Sequence, residues 1–545
     1  MPLIELALTM LLAVIVSGFL VRILPVAVPL PLVQILLGVL ISAVFHRGVG
    51  LDPDIFFLLF LPPLLFLDGW RIPREDLLRN RKIVLQLALG LVVFTVVGAG
   101  YLIHALVPVL PLAAAFALAA IVSPTDPVAV SSIAARAPIP KRLMHILEGE
   151  SLLNDASGLV CFQFAVAAVM TGGFSLAGAT LTFFWVALAG LACGVGFTLA
   201  VTRFQHWLSR KVGEEEGSPI LISILIPFGA YLLAELLHAS GILAAVTAGI
   251  TMGHVEYRGI SLATTRIQKA AVWNTIQFAL NGIMFVLLGE QLPRILYNAM
   301  DTMHTSGIRH VAWLAVYAFA ITAGLILLRF LWVWVSLKLN FYRNSRTALH
   351  NRKVSRRLLL AMSLAGVRGS ITLAGVLTLP LFLPDGSVFP ARDIVIFLAA
   401  AVILLSLLLA SLALPVLLKD LQLPVEPGAE REEDRARNAM NLAAIDAIKQ
   451  TQGEMLERAG SEEVDIYTDA ASRAVDYYSR WIRDEQDEGR ARVLRKADAA
   501  EKRLHLAAIQ GKRVCLAKLK RQHQIEEELA GKLGRELDLM EMRYR

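Results

Sequence analysis

Long uninterrupted runs of apolar residues recur along the first 418 residues, and they constrain the fold more than any other feature of the sequence. Most runs are about 20 residues long, the length that an α-helix needs to cross a hydrocarbon layer of about 30 Å. The runs are continuous rather than alternating, so helices fit them and transmembrane β-strands do not. They predict an all-α membrane protein with about thirteen spans, at 3–21, 25–45, 53–70, 83–106, 109–135, 143–170, 178–203, 218–237, 239–254, 272–292, 309–337, 356–383 and 393–418.

The charged residues divide the chain at Lys419. Only 18% of the chain is charged, against about 25% in a typical soluble domain. Before Lys419 there are 28 Lys and Arg and 19 Asp and Glu, whereas from Lys419 onward there are 24 and 26. We therefore expect a transmembrane domain over 1–418 and a helical cytoplasmic tail over 419–545. The tail is a candidate regulatory region, with expected helix breaks at Gly453, Gly460, Gly489 and Gly511, and no motif identifies its ligand.

The basic residues of the loops predict the direction of the spans. Loops after odd-numbered spans carry 22 Lys and Arg, and the other loops carry 4. Because positive charge stays on the cytoplasmic side, the N-terminus is predicted outside the cell membrane and the C-terminus inside. Topology thus explains the basic excess better than nucleic-acid binding does. An odd count of spans can arise as two inverted six-helix repeats around one extra helix.

Seven charged residues are candidates for positions within the membrane, although a charge at bilayer depth costs at least about 2.5–3.5 kcal/mol. Asp68 and Arg329 lie near predicted helix ends, where long or terminal side chains reach the interface. The other five lie deeper, and such residues mark ion pathways in membrane proteins. They are Asp126, Glu150, Asp155, Glu235 and Arg368.

The fifth span contains two prolines three residues apart, Pro124 and Pro127, which remove two backbone donors and interrupt an ordinary helix. Interrupted backbone at membrane depth is tolerated where it is buried in protein or lines a cavity. Carbonyls released at such a break can coordinate a cation. Asp126, between the prolines, is expected both to cap the following half-helix and to line a site.

The sixth span carries a connected polar face. On a helix, Glu150 and Asn154 are four residues apart, as are Ser151 and Asp155. Carboxylate, amide and hydroxyl oxygens suit a hard alkali cation rather than a soft metal. The alternative is that these groups are hydrogen-bonding contacts between helices.

The twelfth span places Arg368 among small residues. A buried guanidinium needs a partner, because a lone one is strongly destabilising. Glu150 is the expected partner, which leaves Asp155 free. The alternative is that Arg368 donates to backbone carbonyls at a gap in the helix.

Five stretches, in this order, resemble the sodium/proton exchangers of the monovalent cation–proton antiporter-1 family. They extend across the whole predicted membrane region and are specific in combination. The stretches are Phe60 to Phe66, Ser123 to Val130, Gly149 to Asp155, Ala234 to Ile242 and Gly366 to Ser370.

The resemblance implies a thirteen-helix homodimer in which broken helices five and twelve cross. It implies that Asp155 carries the cation and the proton in turn. Ser151 and the Thr125 backbone would bind Na⁺ directly, and Asn154 and Asp126 would bind it through water. Glu150 and Arg368 would form a structural ion pair.

Two positions depart from the family pattern, in which many members have an acid at the position of Leu67. The acid here follows one residue later, at Asp68, about 100° around a helix. Asp68 is therefore only a secondary candidate for the ion-binding site. Glu235 is a second such candidate. Asn281 stands where animal members have an acid, which removes one potential partner of Arg368.

The expected function is exchange of Na⁺ or Li⁺ for H⁺, one for one and electroneutral, since a single acid, preceded by Asn154, does the exchanging. K⁺/H⁺ exchange at the same residues is the alternative, and a cation channel is a second one. The spans contain no nucleophile–base arrangement and no nucleotide-binding loop, so neither an enzyme nor a cofactor is expected.

Overall fold

The computed structural model describes residues 3–24, 28–45, 53–71, 90–126, 130, 141–171, 176–213, 217–257, 263–305, 312–343, 356–418, 427–457, 463–480, 482, 488–522, 524–525 and 527–544. Their regular structure is helical, with one isolated bridge between Phe382 and Val388 in place of a sheet. The chain divides into two compact units, 1–421 and 422–545.

The first unit contains fourteen helices within the described residues. They are α1 Leu3–Ile23, α2 Leu30–Phe45, α3 Pro53–Trp70, α4 Leu91–Leu106, α5 Leu112–Ile121, α6 Lys141–Thr171, α7 Leu176–Val212, α8 Ser218–Leu236, α9 Gly241–Tyr257, α10 Ala263–Thr305, α11 Ala312–Arg343, α12 Arg356–Leu364, α13 Ser370–Leu377 and α14 Arg392–Leu418.

Helix length and composition support membrane crossing. Within the described residues, α7, α8, α10, α11 and α14 are long and apolar enough to cross a membrane, and shorter apolar helices accompany them. Large apolar side chains such as Trp185, Leu225 and Phe319 are more than half exposed. Exposed apolar side chains of this size on long apolar helices are what a lipid-facing surface requires.

Small residues bring helix pairs into backbone contact. A Cβ atom on Gly249 of α9 would meet the carbonyl oxygen of Phe66 on α3, and one on Gly289 of α10 would meet the carbonyl oxygen of Ile35 on α2. Small residues at such contacts are how helices associate in lipid, where association gains little from the hydrophobic effect. These contacts fix α3 on α9 and α2 on α10.

Two helices are interrupted near each other, as the prolines and small residues predict. α5 ends at Ile121, and residues 122–126 continue without helical structure. The predicted twelfth span divides into α12 and α13, and 365–369 connect them. The Asp126 amide donates to the Val367 carbonyl oxygen at 2.7 Å, so the two non-helical segments contact each other.

The second unit contains α15 Pro427–Leu456, α16 Val464–Ser479, α17 Glu488–Arg521 and α18 Glu527–Tyr544. Two of the expected glycine breaks are wrong, because Gly453 and Gly511 lie within helices, whereas Gly489 is the second residue of α17, where that helix begins. One glycine costs a helix only about 1 kcal/mol relative to alanine, and the neighbouring Ala, Lys, Glu and Leu are strong helix formers. Gly460 lies outside the described residues.

Candidate functional site

Asp155 is a buried carboxylate in the middle of α6, with 4% of its surface exposed. The hydroxyl of Ser151, one helical turn earlier, donates to Asp155 Oδ2 at 3.4 Å. This hydrogen bond is long, so it orients the hydroxyl toward the carboxylate without satisfying it. The predicted pair of Ser151 and Asp155 is therefore brought together on one face of α6.

Asn154, beside Asp155, is buried with 1% of its surface exposed. Neither its Oδ1 nor its Nδ2 has a hydrogen-bond partner within the described residues. A buried polar group without a partner costs about 1–3 kcal/mol, and native structures contain few of them. Asn154 thus presents a donor and an acceptor in the interior immediately next to the acid.

The interrupted segment after α5 lies against this part of α6. A Cβ atom on Gly158 would meet the Pro124 ring, and Gly158 is three residues beyond Asp155. Ser123 and Thr125 are buried. Because 122–126 are not helical, the Thr125 carbonyl lies in a segment without the regular helical hydrogen bonds that would occupy it.

The crossing of the two interruptions leaves no room for a side chain at Gly369. A Cβ atom there would meet Asp126 Oδ2, Cβ and Cγ. Together with the bond from the Asp126 amide to Val367, this contact fixes the Asp126 carboxyl at the crossing. Asp126 therefore joins the predicted site through the tertiary contact of two distant segments.

The predicted ion pair between Glu150 and Arg368 is wrong, because Glu150 pairs with Arg329 instead. Arg329 Nη2 donates to Glu150 Oε2 at 2.9 Å, and Arg329 Nη1 lies 2.8 Å from Glu150 Oε1 in an ion-pair contact without hydrogen-bond geometry. Arg329 Nε also donates to the Met362 carbonyl oxygen at 3.1 Å. Both charged groups are buried, so each compensates the other.

Arg329 is buried in the interior of the first unit rather than near a helix end. The sequence predicts a span ending at 337, whereas α11 continues to Arg343. Arg329 is 3% exposed and lies several turns before the end of α11, so its side chain is buried among neighbouring helices. Its guanidinium contacts Glu150 and the last turn of α12.

Arg368 follows the predicted alternative and donates to backbone carbonyls. Its Nε donates to the Val122 carbonyl oxygen at 2.8 Å, and its Nη1 donates to that of Gly366. Its amide donates to Ser406 Oγ at 3.1 Å. Val122 follows the last residue of α5, so the guanidinium stabilises the negative end of that helix.

Two further acids act on Asp155. The carboxylates of Asp68 and Asp126 both interact electrostatically with it, and Asp68 also interacts with Asp126. The structure thus brings Asp68 of α3 toward the site. Within the described residues no group of three His, Cys, Asp or Glu side chains is close enough to hold a metal ion.

Glu235 is not brought to this site. It is exposed near the end of α8, where the Gly241 amide and the Tyr231 hydroxyl donate hydrogen bonds to it. These contacts join the end of α8 to the start of α9. The Glu235 carboxyl therefore takes part in the local connection between α8 and α9.

Three charges were missed by the sequence reasoning: Glu290 and Lys269 are buried, and Glu256 is half-buried. Glu290 is buried in α10 near the predicted end of the tenth span. Glu256 of α9 accepts from Lys269 Nζ at 2.5 Å and from Trp70 Nε1 at 2.7 Å. For Glu290, a charge inside the predicted span 272–292 was the available signal. Glu256 and Lys269 fell outside the predicted spans, which ended at 254 and began at 272, because α9 and α10 are longer.

Comparison with known proteins agrees with this architecture. The family model described as "Sodium/hydrogen exchanger, transmembrane" matches residues 7–420. The uncharacterized Na(+)/H(+) exchanger YjcE of Escherichia coli (strain K12) is 41% identical over 98% of this chain and 97% of its own length. The sodium, potassium, lithium and rubidium/H(+) antiporter of Bacillus pumilus is 38% identical over 99% of this chain and 78% of its own.

A solved structure has the same fold. The sodium proton antiporter MjNhaP1 of Methanocaldococcus jannaschii superposes with a TM-score of 0.57 at 18% identity, and the match covers 77% of this chain and 99% of that one. These relatives are membrane transporters rather than enzymes. The chain therefore belongs to the transmembrane sodium/hydrogen exchanger family and is a multi-pass cation/proton antiporter.

Proposed function

We propose that this antiporter exchanges one Na⁺ for one H⁺ at Asp155, with Li⁺ as a second accepted cation. The single observation that carries the proposal is the buried Asp155 carboxylate beside Ser151 and the unpartnered amide of Asn154. A partly dehydrated Na⁺ would bind Asp155, Ser151 Oγ and the Thr125 carbonyl. Bridging waters would connect it to Asn154 and Asp126.

Competition at one carboxylate couples the two fluxes. A bare ionised carboxylate is costly in a low-dielectric interior, so Asp155 must bind either a proton or a cation. A charged empty site would move across the membrane unfavourably, whereas both occupied forms have the same reduced charge. Transport of one ion in each direction follows from this difference.

Glu150 is held in an ion pair, so it is not a second exchanging group in this proposal. With Asp155 as the only exchanging acid, each cycle moves one positive charge in each direction. The membrane potential, about 2.3 kcal/mol per charge per 100 mV, then does no net work on the cycle. Exchange would be electroneutral.

K⁺/H⁺ exchange is the second candidate. The relatives from Bacillus pumilus and Bacillus subtilis carry potassium and rubidium as well as sodium and lithium in their names. Oxygen ligands bind all of these ions, and the size of the cavity decides between them. A broader substrate range at the same Asp155 would keep the mechanism and change only the preference.

The proposal includes the arrangement around the site. Thirteen spans over 1–418, as two inverted six-helix repeats and one extra helix, would place the N-terminus outside and the 419–545 tail in the cytoplasm. Two copies would assemble as a homodimer in the bilayer. In this arrangement the crossed interruptions lie near the bilayer midplane, where transporters bind their ions.

Purified protein in liposomes that contain a pH-sensitive dye tests the function. Na⁺, Li⁺ or K⁺ is added outside, and wild type is compared with Asp155→Asn, whose amide cannot exchange a proton. We expect proton movement on Na⁺ addition in wild type and none in the variant, with equal size-exclusion profiles. Exchange that persists in Asp155→Asn would overturn the assignment of the carrier.

Two further readouts separate the alternatives. A response to K⁺ alone would replace Na⁺ as the substrate. A steady current that follows the Na⁺ gradient would contradict electroneutral exchange, and unsaturable cation flux without coupled proton movement would indicate a channel.

A further inference from the structure

Ser406 of α14 contacts the segment between α12 and α13, and it has no part in the exchange proposed so far. The side chain is buried, and its oxygen accepts a hydrogen bond from the Arg368 amide at 3.1 Å. Its hydroxyl donates in turn to the Ile403 carbonyl oxygen at 2.9 Å, one turn earlier on α14. Because the hydroxyl proton points to Ile403, a lone pair of the oxygen is left for the Arg368 amide.

The peptide group that joins Val367 to Arg368 is held at both ends. Its N–H belongs to Arg368 and donates to Ser406. Its carbonyl oxygen belongs to Val367 and accepts from the Asp126 amide at 2.7 Å. A trans peptide group is planar, and its N–H and C=O point in opposite directions. Ser406 on one side therefore fixes the direction of the carbonyl that receives Asp126 on the other.

A second peptide group connects this contact to the cation ligand proposed above. The Asp126 amide and the Thr125 carbonyl belong to one peptide group, so the bond to Val367 directs the Thr125 carbonyl away from the crossing. Thr125 lies in a buried, non-helical segment, where no regular helix fixes its backbone. Two peptide groups in series thus connect Ser406 to the Thr125 carbonyl.

Hydrogen bonds in series also act on the charge of the Thr125 carbonyl oxygen. Each bond polarises the peptide group that makes it, and neighbouring bonds in a chain strengthen one another by about 10–30%. The three bonds that run from the Asp126 amide to α14 form such a chain. A carbonyl oxygen that is polarised in this way carries more negative charge and attracts a cation more strongly.

We propose that Ser406 is a positioning residue for the transported cation. Through two peptide groups it holds the direction of the Thr125 carbonyl and increases the negative charge on its oxygen. It acts through the Arg368 amide rather than by binding the ion itself. The inference rests on the proposed exchange at Asp155, with the Thr125 carbonyl as a cation ligand. Loss of the Ser406 hydroxyl should therefore weaken cation binding more than it slows the transport of a bound cation.

Initial rates of Na⁺-driven proton movement in liposomes, measured over a range of Na⁺ concentrations, test the proposal. Ser406→Val and Ser406→Thr introduce side chains of nearly the same shape, but only threonine keeps the hydroxyl. We expect Ser406→Val and Ser406→Ala to raise the apparent KM for Na⁺ by about threefold to tenfold, the range that one net hydrogen bond supports. Ser406→Thr should return the KM toward that of wild type.

Ser411→Ala is the matched control, because Ser411 lies on the same helix and also donates to a carbonyl three residues earlier, that of Leu408 at 2.8 Å. It is about 140° around the helix from Ser406, so it faces a different direction. Its KM for Na⁺ should equal that of wild type. A merely structural role of Ser406 would lower the amount of folded protein and hence the maximal rate, while leaving the KM unchanged.

The failures of the two proposals are distinguishable. Wild type without proton movement on addition of Na⁺ would overturn the proposed function itself. With an active wild type, an unchanged KM in Ser406→Val and Ser406→Ala would overturn the proposal for Ser406. An equal rise of the KM in Ser406→Thr and Ser406→Val would also overturn it, because the hydroxyl would then make no difference. If Ser406→Val does not fold, Ser406→Ala decides the question.

Discussion

The buried arginines Arg329 and Arg368 have different partners, although both lie next to interrupted helices. Arg329 carries the ion pair with Glu150 and donates to the last turn of α12. Arg368 donates to carbonyls at the crossing. Since removal of one member of a buried pair strands the other charge, the two arginines should differ in what their loss does.

Arg329→Met is expected to lower the stability of the membrane unit by about 3–5 kcal/mol, because Glu150 is then a buried charge without its partner. Thermal unfolding of the purified protein in detergent measures the change. Arg203→Met, an exposed position on α7, should stay within about 0.5 kcal/mol of wild type. Glu150→Gln combined with Arg329→Met should recover part of the loss, and no recovery would contradict the pairing.

At the scale of elements, the interruptions of α5 and of the α12–α13 pair create the site. Each break exposes backbone groups that an intact helix would use internally, and the crossing satisfies several of them with the other segment. Asp126 with Val367 and Arg368 with Val122 are two such contacts. The site therefore depends on how closely the two segments approach.

Gly369→Ala tests this approach, because the added methyl group would meet the Asp126 carboxyl. We expect at least a tenfold loss of exchange rate, about 1.4 kcal/mol in the barrier, as Asp126 and its segment are displaced. Initial rates of proton movement in liposomes give the measurement. Gly196→Ala on α7, where a Cβ atom meets nothing within 4 Å, is the matched control and should remain active.

At the scale of the whole molecule, the chain consists of two compact units with different surfaces. The first contains helices of high mean hydropathy, and the second contains helices rich in charge. Under the proposed topology, different solvents around the two units explain why charge is concentrated after Lys419. The proposed topology adds that the second unit lies in the cytoplasm.

A cysteine already present in the chain allows that topology to be tested. Cys515 of the second unit is exposed, whereas Cys193 is buried and Cys161 is partly buried. A membrane-impermeant maleimide should therefore label inside-out vesicles strongly and sealed right-side-out vesicles weakly. Cys515→Ser should abolish the difference. Strong labelling of sealed right-side-out vesicles would place the C-terminus outside.

The sequence was sufficient to predict a helical membrane protein. Apolar runs long enough to cross a bilayer leave little choice but helix, and prolines or glycine-rich turns locate interruptions within them. Helix ends were less accurate, because charged residues can continue a helix beyond the hydrocarbon layer. Arg329 was also expected to reach the interface, whereas it is buried and pairs with Glu150.

The sequence by itself determined that Ser151, Asn154 and Asp155 share one face of α6, because residues on a single helix are related by fixed geometry. It could not determine which arginine meets Glu150, since Arg329 and Arg368 both lie about 200 residues away and either could have been its partner. Tertiary structure decided that pairing, the approach of Asp68, and the contact of Ser406 with the segment between α12 and α13. Such contacts depend on how separate helices pack, and no local spacing in the chain encodes them.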